Sequence, residues 1–217
     1  MLISEMMTKD VATVTEDASL NHAFQILHDE RHKVLPVVRD GKLVGLLSEK
    51  LLAEVRPSKA TSLNVYEINY LMSRTKVRDV MLKLSEVFYT RPDALVEEAA
   101  LALYTHDIGS LPVIQADKTV VGIITQTDIF KAFIRLMGVD HKGTRLSLDV
   151  PDGLGMVAKI AKIVAAAKIN ISNIGNYKKG NGRHEIVLRI DTKNTDELRT
   201  ALEEHADAVI TDVRVFE

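Results

Sequence analysis

LPVVRDGKLVGLLSEK (35–50) and LPVIQADKTVVGIITQTD (111–128) decide the fold, because the second stretch repeats the first. Their prolines, Pro36 and Pro112, lie 76 positions apart. A helical pattern precedes each: Asp17 stands before Leu20, Ala23, Phe24 and Leu27, and Asp93, again 76 positions on, stands before Val96, Ala99, Ala100 and Leu103. Both aspartates are expected to cap their helices. A turn and a second strand follow each proline, the first through Asp40-Gly41, a hairpin signal. Gly45 and Gly122 are 77 positions apart, so the second hairpin holds one extra residue. Each copy thus reads strand, helix, strand, strand, helix. Two copies are too few for a solenoid, and each has an apolar sheet face to cover. Pairing about a pseudo-twofold axis covers both.

Between the copies, Arg56-Pro57-Ser58 reads as a break, and Ser62 is expected to cap a helix that packs through Leu63, Tyr66, Tyr70 and Leu71. From Arg145 the pattern changes. RLSLDV alternates as a strand, DGLGMVAKIAKIVAAAKIN carries Met156, Val157, Ile160, Ile163 and Val164 at helical spacing, and ISNIGNY and HEIVLRIDT are strands. TDELRTALEEHA and DAVITDVRVF complete a βαββαβ order, the ferredoxin-like arrangement. Lys178 to Gly182 reads as a loop. The fold class is α/β (α+β), with a first copy at 1–56, a linking helix at 57–76, a second copy at 77–138 and a last module at 144–217.

Composition narrows the chemistry. There is no cysteine among the 217 residues, which removes disulfides, thiolate metal sites and a cysteine nucleophile. With 28 basic against 30 acidic residues and no basic cluster, nucleic acid is not an expected partner. No apolar run approaches a membrane span and the N-terminus lacks the apolar core of a signal peptide, so the expectation is a cytoplasmic protein without membrane partners. His28 and His32 stand four apart on a helical pattern, but Asp29 follows the first where the zinc-protease motif needs Glu, so no metal site and no catalytic residue is expected.

LPVV with GLLSEKL, and LPVI with GIITQTD, in this order and duplicated, resemble a tandem pair of CBS domains over residues 1 to 138. Residues 144 to 217 resemble an ACT domain, with Asp152-Gly153-Leu154-Gly155 at the place of its Asp-x-Pro-Gly turn and Leu154 in place of the proline. The ordered set resembles the acetoin-utilisation protein B family. The resemblance implies a pseudo-twofold CBS pair followed by a ferredoxin-like ACT domain. It also implies a regulatory sensor of an adenine nucleotide (AMP, ADP or ATP) or related adenosyl compound, with no obligatory cofactor.

Gly122-Ile123-Ile124-Thr125-Gln126-Thr127-Asp128 matches the G-x-x-[ST]-x-x-D signature of CBS adenosyl sites. Read physically, Ile123 at a strand end lies beside a base while its backbone reads the base edge. Thr125, Thr127 and Asp128 open a helix, with Asp128 an acceptor for ribose hydroxyls. The same spacing also serves a plain helix cap. In the first copy Leu51 replaces the Asp, so the half-site at Leu46 and Ser48 is degenerate. Exchange about the axis implies that His32, Lys33 and Val34 of the first copy meet the ligand held by the second. In the ACT-like module the resemblance implies an amino-acid effector site at Asp152, Gly155, Asn173 and Ile174.

The expected function is a non-enzymatic sensor. It forms a homodimer, takes a small-molecule effector, acts on an unidentified regulated protein, and is linked to acetoin or acetate metabolism through the resemblance. A ligand-free protein scaffold and a small hydrolase are the competing classes.

Overall fold

The computed structural model describes residues 1–29, 33–55, 64–180 and 182–217, which form two compact units, residues 1–132 and 133–217. The first unit holds α1 (Ile3–Met6), β1 (Val14–Thr15), α2 (Leu20–Asp29), β2 (Val34–Arg39), β3 (Lys42–Ser48), α3 (Glu49–Val55), α4 (Val65–Arg74) and β4 (Leu82–Lys83). It continues with α5 (Val96–Thr105), β5 (Ser110–Ile114), β6 (Val120–Thr125) and the start of α6 (Gln126–Leu136).

The repeat is visible in register. In the first copy β1 runs parallel to β2, with Val14 opposite Val37, and β2 and β3 form an antiparallel hairpin. Asp40 and Gly41 take φ of 51° and 75° at its turn, the left-handed pair a two-residue hairpin demands. Strand β4 closes the order β1-β2-β3-β4, with Leu82 opposite Leu46. The second copy reproduces each contact: Thr90 bridges Val113 in parallel, β5 pairs with β6, and Thr8 bridges Ile123. The strand that completes the second copy therefore comes from the chain's first residues. Ile3 and Met6 belong to the core of Val96, Leu103, Leu111 and Ile124. This segment lies within the stretch 1–56 read as the first copy yet packs on the second, because sequence order does not show which sheet edge a short strand joins.

Two expectations about helix ends are corrected. Asp17 is paired with Arg78 and Asp93 with Arg91, at 2.7 Å in the latter case. Charge-assisted bonds to a guanidinium, a two-pronged one at Asp93, engage these carboxylates more strongly than a single backbone N–H does, and the helices start three residues later. At the first, Ser19 Oγ accepts from the His22 N–H at 3.2 Å. At the second, Glu98 reaches back to the Leu95 N–H at 3.0 Å.

The linking helix is also corrected. Residues 56–63, including Ser62 and Leu63, lie outside the described residues. Asn64 caps α4, accepting from the Glu67 N–H at 3.0 Å while Glu67 accepts from the Asn64 N–H at 2.7 Å. Tyr66, Tyr70 and Leu71 are exposed, and the face that packs on the first core carries Ile68 and Met72, one helical turn apart.

The second unit begins with the last turn of α6 and contains β7 (Gly143–Pro151), α7 (Met156–Ala166), β8 (Ile171–Gly180), β9 (Arg183–Ile190), α8 (Asp196–Ala206) and β10 (Val209–Phe216). Its sheet is antiparallel in the order β10-β7-β9-β8, the ferredoxin-like topology. Leu146, Leu148, Leu188 and Ile190 pack against Ile160 and Val164 of α7 and Leu198 and Leu202 of α8. Lys178 and Lys179 continue β8 rather than forming a loop, because Lys179 is anchored across the sheet to Asp149 at 3.4 Å and Glu185 at 3.8 Å.

Arg183 Nε donates to Asp149 at 2.6 Å and holds that carboxyl below the usual carboxylate range, with Lys179 adding to the effect. A carboxyl depressed on folding stabilises fully above its unfolded value of about 3.9, and that contribution disappears as pH falls through the lower folded value. Asp149→Asn is expected to lower the urea midpoint at neutral pH and to flatten its fall below about pH 4. Urea titrations across the acid range read both effects.

Candidate functional site

A cavity of about 390 Å³ opens in the first unit where the two copies meet. The second copy supplies Ile123 and Thr125 from the end of β6, Gln126 and Thr127 from the start of α6, and Gly109 with Ser110 at the entry to β5. From the first copy come Lys33 and Val34, at the entry to β2. The remaining wall is Thr8, Asp10, Val11 and Ala12. Five of the residues read from the sequence (Ile123, Thr125, Thr127, Lys33 and Val34) therefore line one space. His32 lies outside the described residues.

Two details differ from expectation. The backbone of Ile123 is not free to read a base: its N–H donates to Thr8 at 2.9 Å and its C=O accepts from the Thr8 N–H at 3.0 Å. The neighbouring stretch Asp10–Ala12, also in the wall, forms no backbone hydrogen bond with described residues, so its N–H and C=O groups are open to a molecule in the cavity.

Asp128 is the second. It is 4% exposed and absent from the cavity wall. Its Oδ2 accepts from the Thr125 N–H at 3.0 Å and from Thr125 Oγ1 at 2.8 Å, and its Oδ1 takes Lys131 Nζ at 3.2 Å. The carboxylate thus caps α6 and fixes the hydroxyl of Thr125, a residue of the cavity wall.

The first copy is built differently at the equivalent positions. Leu46 packs with Leu82 and Leu84 against the buried Leu43, Val87 and Ile114. Ser48 Oγ accepts from the Leu51 N–H at 3.2 Å, a helix cap. Apolar side chains fill the side of β3 that corresponds to the open side of β6.

In the second unit a smaller cavity of about 140 Å³, room for roughly four waters at ~30 Å³ each, sits at the turn before α7. Asp152 and Gly155 line it. Gly155 takes φ +80°, a left-handed conformation that glycine adopts without strain. Asn173 and Ile174 do not reach it. Val150 lies opposite His184, and His184 opposite Lys178, so the turn is level with the far end of β8 and Asn176 is the β8 residue in its wall. His184 joins there: Nδ1 lies 2.8 Å from Asn176 Oδ1, and Nε2 lies 3.2 Å from Asp152 Oδ1, off line for a hydrogen bond. Sequence reading missed Asn176 and His184 because their approach to Asp152 depends on a three-strand register. It missed Thr8 and Asp10–Ala12 because the N-terminal segment joins the other copy. Among the described residues, His28 stacks on Phe24 and no three acidic or histidine side chains form a metal cluster.

The profile for the CBS domain matches residues 3–57 and 77–135, and the profile for the TTHA0829-like ACT domain matches 142–214. The chain belongs to the CBS-domain family, as a tandem CBS pair with a C-terminal ACT-like domain. A Methanocaldococcus jannaschii relative, the uncharacterized protein MJ0188, is 30% identical over 132 residues, 61% of this chain. The chain spans only 44% of that relative. Among solved structures, a Vibrio cholerae protein described as an acetoin utilization protein (AcuB) is 28% identical with a TM-score of 0.53, over 64% of this chain and 95% of that one. Arabidopsis thaliana CBSX2, solved in complex with AMP, is 26% identical with a TM-score of 0.51, over 62% and 96%. Among the described residues no helix is long and apolar enough to cross a membrane.

Proposed function

We propose that the protein is a regulatory sensor that binds one adenine nucleotide per CBS pair in the cavity between the copies, without catalysis. The observation that carries this reading is the convergence of Ile123, Thr125 and Thr127 from one copy with Lys33 and Val34 from the other. Ile123 and Val34 offer apolar faces to a base, the hydroxyls of Thr125 and Thr127 suit a ribose, and Lys33 supplies a point charge for phosphate. Asp128 acts through Thr125 as a positioning residue. The AMP bound by CBSX2 supports the ligand class. Occupancy changes activity elsewhere only to the extent that the nucleotide prefers one state of the protein over another.

For the ACT-like unit, the proposed effector site is the small cavity at Asp152 and Gly155, extended by Asn176 and His184, with an amino acid as its ligand class. The link to acetoin or acetate metabolism, the homodimer, the regulated protein and the cytoplasmic location are parts of the same proposal and rest on the likeness to AcuB and on composition.

A thermal-shift panel of AMP, ADP, ATP, NADH and S-adenosylmethionine tests the nucleotide reading. A native-state ligand at 100 times its Kd stabilises by about 2.7 kcal/mol, and at least one adenosyl compound is expected to raise the melting midpoint by several degrees. Ile123→Asp, which puts a charge beside the base, is expected to abolish the rise. If no adenosyl compound shifts the midpoint, the protein is a scaffold rather than a sensor. Nucleotide turnover by the purified protein would instead establish an enzyme.

A further inference from the structure

We propose that the sheet face of the C-terminal unit turned away from its helices, which the Leu136–Gly138 stretch covers at Asn173 and Arg189, carries a second binding site for a small carboxylate- or phosphate-bearing molecule, built on Arg189 and Arg145. Strand register sets Asn173 of β8 opposite Arg189 of β9, Arg189 opposite Arg145 of β7, and Arg145 opposite Arg214 of β10. Directly opposed residues share a face, and like charges so placed repel. Leu146, Leu148, Leu188 and Ile190 turn to the helices, so the row faces the other way.

The carboxylates on hand do not neutralise this row. Arg145 Nη1 donates to Ser147 Oγ at 2.9 Å and to Asp212 Oδ2 at 3.1 Å, and Arg214 Nε donates to the same Asp212 oxygen at 3.0 Å. Asp149 and Glu185, further along the strands, are engaged by Arg183 and Lys179. Arg189 is left over. It is 8% exposed, its Nε has no hydrogen-bond partner, and the Phe216 ring lies 5.0 Å from its Cζ. Burial, with the charge of Arg145 second, pulls Arg189 below its ordinary value, but a guanidinium keeps its proton. The buried Oδ1 of Asn173 also lacks a donor.

A buried, unpaired guanidinium is costly, and an oxyanion within its fork removes that cost. Arg145 is 24% exposed and Arg214 68%, so the row opens to solvent at the β7–β10 end. A planar carboxylate or a phosphate entering there meets Arg145 first and Arg189 behind it. This inference does not depend on nucleotide binding in the first unit.

The test uses the full chain, labelled with 15N, titrated with inorganic phosphate and separately with succinate against potassium chloride at equal ionic strength. The arginine Nε–H resonances are followed, with that of Arg189 assigned by its loss in Arg189→Lys. The expected result is a saturable shift of the Arg189 and Arg145 resonances with one anion or both, and a melting midpoint raised by roughly 5 °C. Both responses should be lost in Arg145→Gln. A response to phosphate alone or to succinate alone supports the site and names its oxyanion. The proposal fails if neither anion moves Arg189 Nε–H saturably, or if Arg145→Gln keeps the full midpoint rise. It fails equally if sedimentation shows that Arg189→Met dissociates a dimer while neither anion binds, because a second copy then supplies the acceptor.

Discussion

Gly143→Ala is expected to lower the stability of the C-terminal unit by about 3–5 kcal/mol, the range of backbone strain combined with a hard clash. Gly143 opens β7 with φ +121°, a region where an L side chain is strained whatever the space around it. A Cβ there would stand 2.1 Å from the backbone oxygen of Ile190 and 3.1 Å from Asp191 Cα. Neither atom belongs to a side chain that could swing aside. Ile190 is opposite Thr144 in the β7–β9 ladder and its side chain lies in the core, so relief requires separating two central strands. At 4–8 °C per kcal/mol for a unit of this size, the midpoint should drop by about 12 °C or more. Gly153→Ala is the control in the same unit: its added Cβ meets nothing within 4 Å, and its φ is not in the left-handed region. Its stability should stay within roughly 0.5 kcal/mol of the parent. Equal effects from the two variants would show that Gly143 is not the pinch point.

Gly143 also marks the limit of sequence reading. The doubled LPVV and LPVI strands, the Asp40-Gly41 hairpin and the βαββαβ order are local patterns, with periods and turn residues that can be counted along the chain. The Thr125 to Asp128 spacing was legible too as a helix cap, which the bonds show, while of its ligand reading Thr125 lines the cavity and Asp128 does not. What stayed hidden depends on partners far away in sequence. Ile123 spends its backbone on Thr8, 115 positions earlier, and Arg189 becomes an unpaired cation only because Arg145 and Arg214 fall in its row. Tyr66 and Tyr70 show the same limit from the other side. An apolar spacing fixes a helix face, but the core selects which of two faces it covers, and here it takes Ile68 and Met72.

Alanine at Gly45 and at Gly122 should separate stability from ligand binding, because the pseudo-twofold axis gives these glycines equivalent places with unlike neighbours. At Gly45 the new Cβ falls 2.5 Å from the Leu82 backbone oxygen and 2.6 Å from Met81 Sδ. The first contact is backbone in a two-residue strand, so β4 must shift, and a loss of about 2–4 kcal/mol is expected. At Gly122 the nearest atom, at 2.5 Å, is Met7 Sδ, the far end of a flexible side chain, while the Thr8 backbone oxygen is 3.0 Å away. Met7 can turn aside, so the cost should be about 1 kcal/mol. The small residual push falls on Thr8, which lines the cavity and holds Ile123 through two backbone hydrogen bonds. Leu82 is instead part of the apolar packing around Leu46. Gly122→Ala, the milder lesion to the fold, should therefore weaken the adenosyl ligand found in the thermal-shift panel by about tenfold, equivalent to ~1.4 kcal/mol. Gly45→Ala, the harsher lesion, should leave affinity within roughly threefold of the parent when calorimetry is run below its melting transition. The reverse order of affinities would move the nucleotide to the first copy's half of the pair, where Leu46 and Leu82 would have to part to admit it.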